Sequence, residues 1–347
     1  MRKTELNRIE KRILASLTAK PKTLWELFIQ LNSGELETAN ALKTLREKNL
    51  IEINEKKQTA SASSAEIKIK NNENIPSYVQ PIAKADSKIY KTLLKKYSAH
   101  VKGFDPAITK FQQARIHPEE AIALVQLMEQ KGDIQGNDIF ILGDDDLISV
   151  LIAMRGLSKK IVVLEIDEAV IAKINEIAEK ETLAIETLQY DVRKPLPEKY
   201  LRQFDTFRTD PPTSELAQKL FLSRCFSTMR GKGCAGYVGV SRQEESPEKQ
   251  AKIQRTILEA GFVLTDMREQ FTTYPETDTS LGEYTQMPFI KILGFTPGLP
   301  KIGKDNWWFA DLWRVEAISE PNPPITGEVN AGRELYADEE SLVVPEN

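Results

Sequence analysis

Residues Ile139-Phe-Ile-Leu142 form an apolar run that meets one glycine and three adjacent carboxylates, Gly143-Asp144-Asp145-Asp146. A Rossmann-type sheet places its nucleotide-binding loop at such a strand end. Ordinary versions of that loop are glycine-rich, because backbone N–H groups must approach an anionic ligand. Three aspartates would repel a phosphate or a free carboxylate. They would attract an ammonium, since unit charges about 4 Å apart are worth about 4 kcal/mol at an effective dielectric near 20. Adjacent carboxylates also raise one another's pKa, which makes a structural role for the triple hard to find. The pattern points to a cationic nucleoside ligand.

Three further strand ends carry acids. Glu165-Ile166-Asp167 lies about 20 residues on, where an acid commonly accepts ribose hydroxyls; Asp167 could equally cap the helix that follows. Tyr190-Asp191-Val192 offers an acid to an adenine amino group, or a turn residue ahead of a Pro-containing loop. In Thr209-Asp210-Pro211-Pro212 the prolines fix φ and hold the loop rigid beside the site. Four acid-tipped strands in this order match nucleoside-sulfonium transferases. S-adenosylmethionine carries an α-carboxylate that Asp144–Asp146 would repel, whereas its decarboxylated form ends in an ammonium that they would hold. Aminopropyl transfer to an amine is therefore preferred.

These residues need a scaffold, and the chain divides into segments that could supply it. Residues 1–75 read as a winged helix-turn-helix. Leu6, Ile9, Ile13, Leu14 and Leu17 share one helical face, Thr23 with Glu26 makes a capping box for Leu24–Leu31, and Ser33 caps a third helix. Two alternating runs, 50–54 and 66–70, flank the polar stretch 56–65 as a wing. Residues 1–58 carry 12 Lys/Arg against 8 Asp/Glu, and the third helix mixes Lys43, Arg46 and Lys48 with Glu35, Glu37 and Glu47, so its surface is no basic stripe. A helper or oligomerisation role is favoured over DNA binding, and a homodimer is expected. Residues 76–137 read as a helical connector, with helices near 87–97 and 118–131. From 138 to 320, strands near 138–142, 161–166, 183–189, 204–208, 234–240, 262–266 and 308–315 alternate with helices as a Rossmann-like parallel sheet buried on both faces. The segment 321–347 holds six acids against Arg333 from Pro324 onward, which reads as an acidic flexible C-terminal tail.

Composition narrows the class. Hydrophobic residues are 41% of 347, enough for a sizeable core, and the net charge of −4 argues against general nucleic-acid affinity. Met-Arg-Lys-Thr-Glu-Leu at the start lacks the apolar stretch of a signal peptide, and no run approaches the ~20 residues of a membrane span. Cys225 and Cys234 lack metal or redox spacing and read as buried thiols; His100 and His117 are too few for a histidine metal site. A cytoplasmic protein without metal or cofactor, and without a membrane or nucleic-acid partner, is expected.

Gly143-Asp-Asp-Asp146, Phe204-Asp-Thr-Phe207, Thr209-Asp-Pro-Pro212, Gly233-Cys-Ala-Gly-Tyr237 and Glu334-Leu-Tyr-Ala-Asp-Glu-Glu340 together resemble the branched-chain polyamine synthase family, the N(4)-bis(aminopropyl)spermidine synthases. The resemblance runs from about Phe111 to Glu340. It implies transfer of aminopropyl groups from decarboxylated S-adenosylmethionine, a co-substrate, to the central nitrogen of spermidine, with release of 5′-methylthioadenosine. It further implies Asp146 as the base that takes the acceptor's proton and Asp210 as the group orienting a nitrogen from the opposite wall. Gly143, Asp144 and Asp145 would then bind the donor, with Glu165 and Asp167 at the ribose and Asp191 at the adenine. Gln113, Pro211, Pro212 and Glu215 would face the acceptor. Thr213-Ser214-Glu215 departs from the acid or tyrosine common after Asp-Pro-Pro, so Glu215 is the substitute. Phe111-Gln-Gln113 stands where Phe-Asp-Gln is expected, and Gln113 alone carries over. Arg208 places a cation where an aliphatic residue is usual; it can pair with a surplus carboxylate or alter the acceptor range.

Two rivals remain at this level. An S-adenosylmethionine-dependent amino-methyltransferase acting on a nucleic-acid base uses a similar Pro-Pro loop, but its motif ends in an aromatic that stacks on the flipped base, where this chain has Thr213. A polyamine-sensing regulator binding DNA through the winged helix would need phosphate contacts and a steep salt dependence.

Overall fold

The computed structural model describes residues 6–18, 20–31, 34–54, 59–62, 88–104, 111–274, 288–295 and 308–341. The N-terminal unit contains α1 (Arg8–Leu17), β1 (Lys22–Thr23), α2 (Leu24–Leu31), α3 (Glu35–Glu47), β2 (Ile51–Asn54) and β3 (Thr59–Ala62). Thr23 and Glu26 close the capping box at α2 reciprocally: the Glu26 N–H donates to Thr23 Oγ1 at 3.1 Å and the Thr23 N–H to Glu26 Oε2 at 2.7 Å. Ile13, Leu14, Leu27, Phe28, Leu42 and Leu45 form its buried core. The three strands pair antiparallel in the order β1-β3-β2. Strand β3, Thr59–Ala62, lies inside the stretch read as a polar loop, with the small Ala60 as its buried residue. The expected run 66–70 and the cap Ser33 lie outside the described residues.

The remainder builds one α/β unit: α4 (Lys88–Val101), α5 (Pro118–Gln130), β4 (Asp138–Leu142), α6 (Ile148–Arg155), β5 (Lys160–Glu165), α7 (Glu168–Glu181), β6 (Glu186–Gln189), β7 (Thr206–Thr209), α8 (Glu215–Thr228), β8 (Ala235–Val240), α9 (Pro247–Glu259), β9 (Phe262–Thr273), α10 (Pro288–Leu293) and β10 (Phe309–Ala317). Its sheet has the order β6-β5-β4-β7-β8-β10-β9. Strands β6, β5, β4, β7 and β8 are mutually parallel, and β10 runs against both its neighbours. The expected parallel sheet is thus mixed at one edge. The chain between β9 and β10 includes α10, whose Ile290 and Leu293 pack into the N-terminal core rather than over a sheet face.

Period-two alternation sorts the strands onto two cores. Phe140, Leu142, Val162, Leu164, Phe207 and Val238 face α8 and α9, while Ile139, Ile141, Ile161, Val163, Tyr237 and Leu312 face α4, α5 and α6. Tyr97 and Val101 of α4 and Leu124, Val125 and Met128 of α5 belong to that second core. Residues 88–104 and 111–130 therefore pack as part of the α/β unit rather than as a separate connector. The tail is likewise packed through Ser341. Arg224, buried in α8, donates to the Gly327 carbonyl at 2.7 Å, Asp338 accepts from Lys249, and Glu340 accepts from the Ser246 N–H at 2.6 Å. Its acids meet fixed donors on α8 and α9, so the segment does not hang free.

Phe207 and Gly236 are register partners on β7 and β8, and a Cβ at Gly236 would fall 2.0 Å from the Phe207 ring. The glycine is there so that the ring can lie flat over the neighbouring strand. Gly236→Ala should therefore destabilise the protein by about 1–3 kcal/mol, read as a lowered midpoint in thermal unfolding, and Phe207→Leu in the same chain should recover part of that loss.

Candidate active site

The parallel strands end together, and the loops that leave them line an open cleft. Gly143 opens the first loop with φ +75°, a left-handed turn that suits glycine. Asp145 from that loop, Glu165 and Ile166 after β5, Tyr190 and Val192 after β6, and Asp210 and Pro212 after β7 line the cleft. Gln113 closes one side, and Phe221 of α8 with Leu335 and Tyr336 of the tail close another. Leu142, Leu164, Ile166, Val192, Phe221 and Leu335 make an apolar bed of the kind a nucleoside ring requires.

The three aspartates have three different environments. Asp144 is buried and turned away from the cleft. Its Oδ1 accepts the Ile148 N–H at 2.7 Å, and its carboxylate also accepts from the Ser149 N–H, so it caps the open end of α6. The expected donor-binding role of Asp144 is corrected to this one: a structural role exists, because the first N–H groups of α6 and its dipole can hold a charge. Asp145 stays half-buried on the cleft wall, with Oδ2 accepting from the Ala114 N–H at 3.1 Å. Burial and the charges of Asp146, Glu165 and Asp210 raise its pKa.

Asp146 is 1% exposed and is not part of the cleft lining. Its Oδ1 accepts the Ile116 N–H at 2.9 Å and its Oδ2 accepts Arg208 Nη2 at 2.9 Å. Burial lifts its pKa to about 6, although Arg208 pulls the other way. With both oxygens engaged behind the wall, Asp146 does not present a free oxygen to a substrate. The expectation that Asp146 is the base sits poorly with this placement. Asp210, the other expected catalytic residue, lines the cleft and accepts Arg208 Nη2 at 3.2 Å and the Tyr274 hydroxyl at 3.1 Å, both on Oδ2. Gly239 allows this position, since a Cβ there would lie 1.9 Å from Asp210 Oδ1.

Among the other expected residues, Glu165 reaches the cleft but is 3% exposed, and its two oxygens already accept the N–H groups of Asp144, Ile166 and Asp167. Those bonds lock the first two loops together. Asp167 caps α7 through the Ala169 N–H at 2.8 Å and does not line the cleft, so its ribose role is corrected to a cap. Asp191 forks with the Arg193 guanidinium at 2.7–3.0 Å, and only its neighbours Tyr190 and Val192 face the cleft. Pro211 is buried behind Pro212. Glu215 is exposed and pairs with Lys252 at 2.6 Å, on the far side of its helix turn, so it does not substitute in the acceptor wall. Phe221, Tyr190, Leu335, Tyr336 and Tyr274 were not anticipated. Tyr190 carried a signal as part of the Tyr190-Asp191-Val192 strand end, and Leu335 and Tyr336 as part of the Glu334–Glu340 motif.

Cys225 and Cys234 are buried free thiols. Among the described residues no group of three or more His, Cys, Asp or Glu side chains is placed to hold a metal ion, and no helix is long and apolar enough to cross a membrane.

Residues 92–343 match the family described as the branched-chain polyamine synthase A C-terminal domain. The chain belongs to the branched-chain polyamine synthase family. It is 34% identical over 318 residues to the N(4)-bis(aminopropyl)spermidine synthase of Methanocaldococcus jannaschii, covering 87% of this chain and 85% of that protein. Its 38% identity to the N(4)-bis(aminopropyl)spermidine synthase of Thermococcus kodakarensis extends over 234 residues, 67% of this chain and 64% of that protein's length. The branched-chain polyamine synthase of Thermus thermophilus, solved in complex with N4-aminopropylspermidine and 5′-methylthioadenosine, superposes with a TM-score of 0.82 at 28% identity. That superposition covers 97% of this chain and 93% of the other. In this family member the triple aspartate is thus divided between a helix cap, a cleft wall and a buried ion pair.

The cap makes a prediction with a pH sign. Burial raises the folded pKa of Asp144 to about 7, above its unfolded value, so its contribution to stability is complete below the unfolded value and is lost as pH rises through about 7. Asp144→Asn keeps an acceptor for the Ile148 N–H and should flatten part of the fall in thermal stability between about pH 4 and 7. Asp144→Ala should instead lower stability by about 1 kcal/mol at acid pH. An unchanged pH profile in the asparagine variant together with unchanged stability in the alanine variant would contradict the capping role.

Proposed function

We propose that this chain transfers aminopropyl groups from decarboxylated S-adenosylmethionine to the central secondary nitrogen of spermidine, releasing 5′-methylthioadenosine. The observation that carries the reading is the pair of carboxylates, Asp145 and Asp210, on the walls of an open cleft at the strand ends, where a glycine cradle would otherwise lie. A donor that kept its α-carboxylate would meet Asp145 as a like charge. A donor ending in an ammonium gains there instead. The homologous proteins named N(4)-bis(aminopropyl)spermidine synthase, and the Thermus thermophilus complex with N4-aminopropylspermidine and 5′-methylthioadenosine, support the same chemistry.

The apolar bed and Glu165 receive the adenosine part, and Asp145 holds the aminopropyl ammonium. The acceptor nitrogen arrives protonated and has no lone pair, so it must first give its proton to a carboxylate; Asp210 faces it and takes that proton. The freed lone pair attacks the methylene beside the sulfonium, the C–S bond breaks, and its electrons return to sulfur as the neutral thioether. The product nitrogen is a tertiary ammonium. A second cycle, again losing one proton first, leaves a quaternary ammonium. Residues 6–62 serve this unit as a winged helix-turn-helix used for support rather than for DNA. The N-terminus of α3 is occupied, since the Glu35 N–H donates to the Gln243 carbonyl at 3.0 Å in the loop after β8.

Incubation with decarboxylated S-adenosylmethionine and spermidine should give amines heavier by one and two aminopropyl groups in mass spectrometry, together with methylthioadenosine. S-adenosylmethionine should give no methylated product and a smaller thermal shift; equal stabilisation by the two donors would sink the assignment. Asp210→Asn should cut turnover by about 10²–10⁴-fold while methylthioadenosine still binds. Asp145→Asn should act chiefly on the Michaelis constant of the donor.

A further inference from the structure

Arg208 lies on the central strand β7, 2% exposed, beside Ile141 of β4 and Tyr237 of β8. Along that face Tyr237 is followed by Arg314 of β10, which is held by Asp133, and a buried guanidinium at Arg208 likewise requires counter-charges. It has them. Nη2 donates to Asp146 Oδ2 at 2.9 Å and to Asp210 Oδ2 at 3.2 Å, while Nε and Nη1 are buried with no partner among the described residues. An apolar residue would pack here without leaving two donors unsatisfied, which argues that the cation is kept for its charge and position. Burial opposes the Arg208 charge, but Asp210, Asp146 and Asp145 outweigh it and keep the guanidinium ionised. Tyr274 adds a second donor to the same Asp210 oxygen at 3.1 Å, and Gly239 seats the other oxygen.

We propose that Arg208 is the positioning residue of the aminopropyl transfer: clamped between Asp146 and Asp210, it fixes Oδ2 of Asp210 and leaves Oδ1 to take the acceptor's proton. This rests on the aminopropyltransferase reading and deepens it. Asp146 is then the counter-ion that holds Arg208 in place. Other charged or titratable groups also face the couple: Arg115 and Glu120 from the start of α5, Tyr97 from α4, Asp144 and Asp145 from the first loop, and Tyr274 after β9. None of them is a cation in contact with Asp210, so Arg208 alone separates the two carboxylates.

Without Arg208, Asp146 and Asp210 face each other across the vacated space, and the pair retains a shared proton at higher pH. In Arg208→Met the acidic limb of the kcat pH profile should move up by about one unit. This lowers turnover about tenfold on that limb and allows recovery at alkaline pH. Binding of methylthioadenosine, read by thermal shift, should be unchanged. Arg208→Lys should recover part of the loss, because a lysine supplies the charge without the fork. Arg208→Met with Asp146→Asn restores the charge balance around Asp210 and should return the limb towards its original position even though two residues are altered. A profile that falls equally at every pH, with no recovery in the double variant, would reduce Arg208 to a packing element and overturn the proposal. Absence of aminopropyl products from the unaltered chain would instead refute the aminopropyltransferase reading itself.

Discussion

The structure depends on how it disposes of carboxylates that burial makes costly. A buried carboxylate must find donors, a cation or a proton. Asp144 finds the open end of α6, Glu165 finds three backbone N–H groups, and Asp146 finds Arg208. Each solution also fixes a piece of backbone: the first helix turn, the junction of the first two loops, and the contact between residue 116 and the loop after β4. Asp145 and Asp210 therefore stand on the cleft in a frame held by acids whose oxygens backbone N–H groups or Arg208 already occupy. The site's geometry is set by its own charge neutralisation.

The sheet makes this arrangement possible by bringing the ends of β4, β5, β6 and β7 to one rim, with β8 contributing the glycine under Asp210. Only a parallel set of strands ends so many loops on one side. The antiparallel β10 does not disturb that rim, since it pairs beyond β8. The tail then covers the rim from outside. The Ser214 hydroxyl donates to the Leu335 carbonyl at 2.8 Å and Asp338 accepts the Glu215 N–H at 2.9 Å, so the start of α8 and the tail fix each other while Leu335 and Tyr336 reach the cleft.

Much of this was readable in the residues. The short apolar runs at 138–142 and 235–240 are strands buried on both faces, and four acids in succession at strand ends located the cleft. Facing was harder to read. Asp144 and Asp145 are adjacent in sequence yet point to a helix end and to a cavity, and only the apolar run from Leu147 onward hinted at a cap. Glu215 follows Asp210 closely, but the turn into α8 carries it to Lys252. Tyr274 was invisible because its partner lies 64 residues away. The tail misled for a related reason. An acid count describes solvation only when the donors are absent, and here Lys249 and Ser246 stand ready on α9.

Charge movement during transfer gives the wall its chemical meaning. As the C–S bond breaks and the C–N bond forms, positive charge leaves sulfur and accumulates on the acceptor nitrogen. A carboxylate beside that nitrogen gains interaction as the reaction proceeds, whereas one beside the donor's ammonium contributes equally at the start and in the transition state. Only the first kind accelerates the step. Asp210 is oriented before any substrate arrives, by Arg208, Tyr274 and the bare Cα of Gly239, so the group proposed to take the acceptor's proton needs no rearrangement when that proton moves.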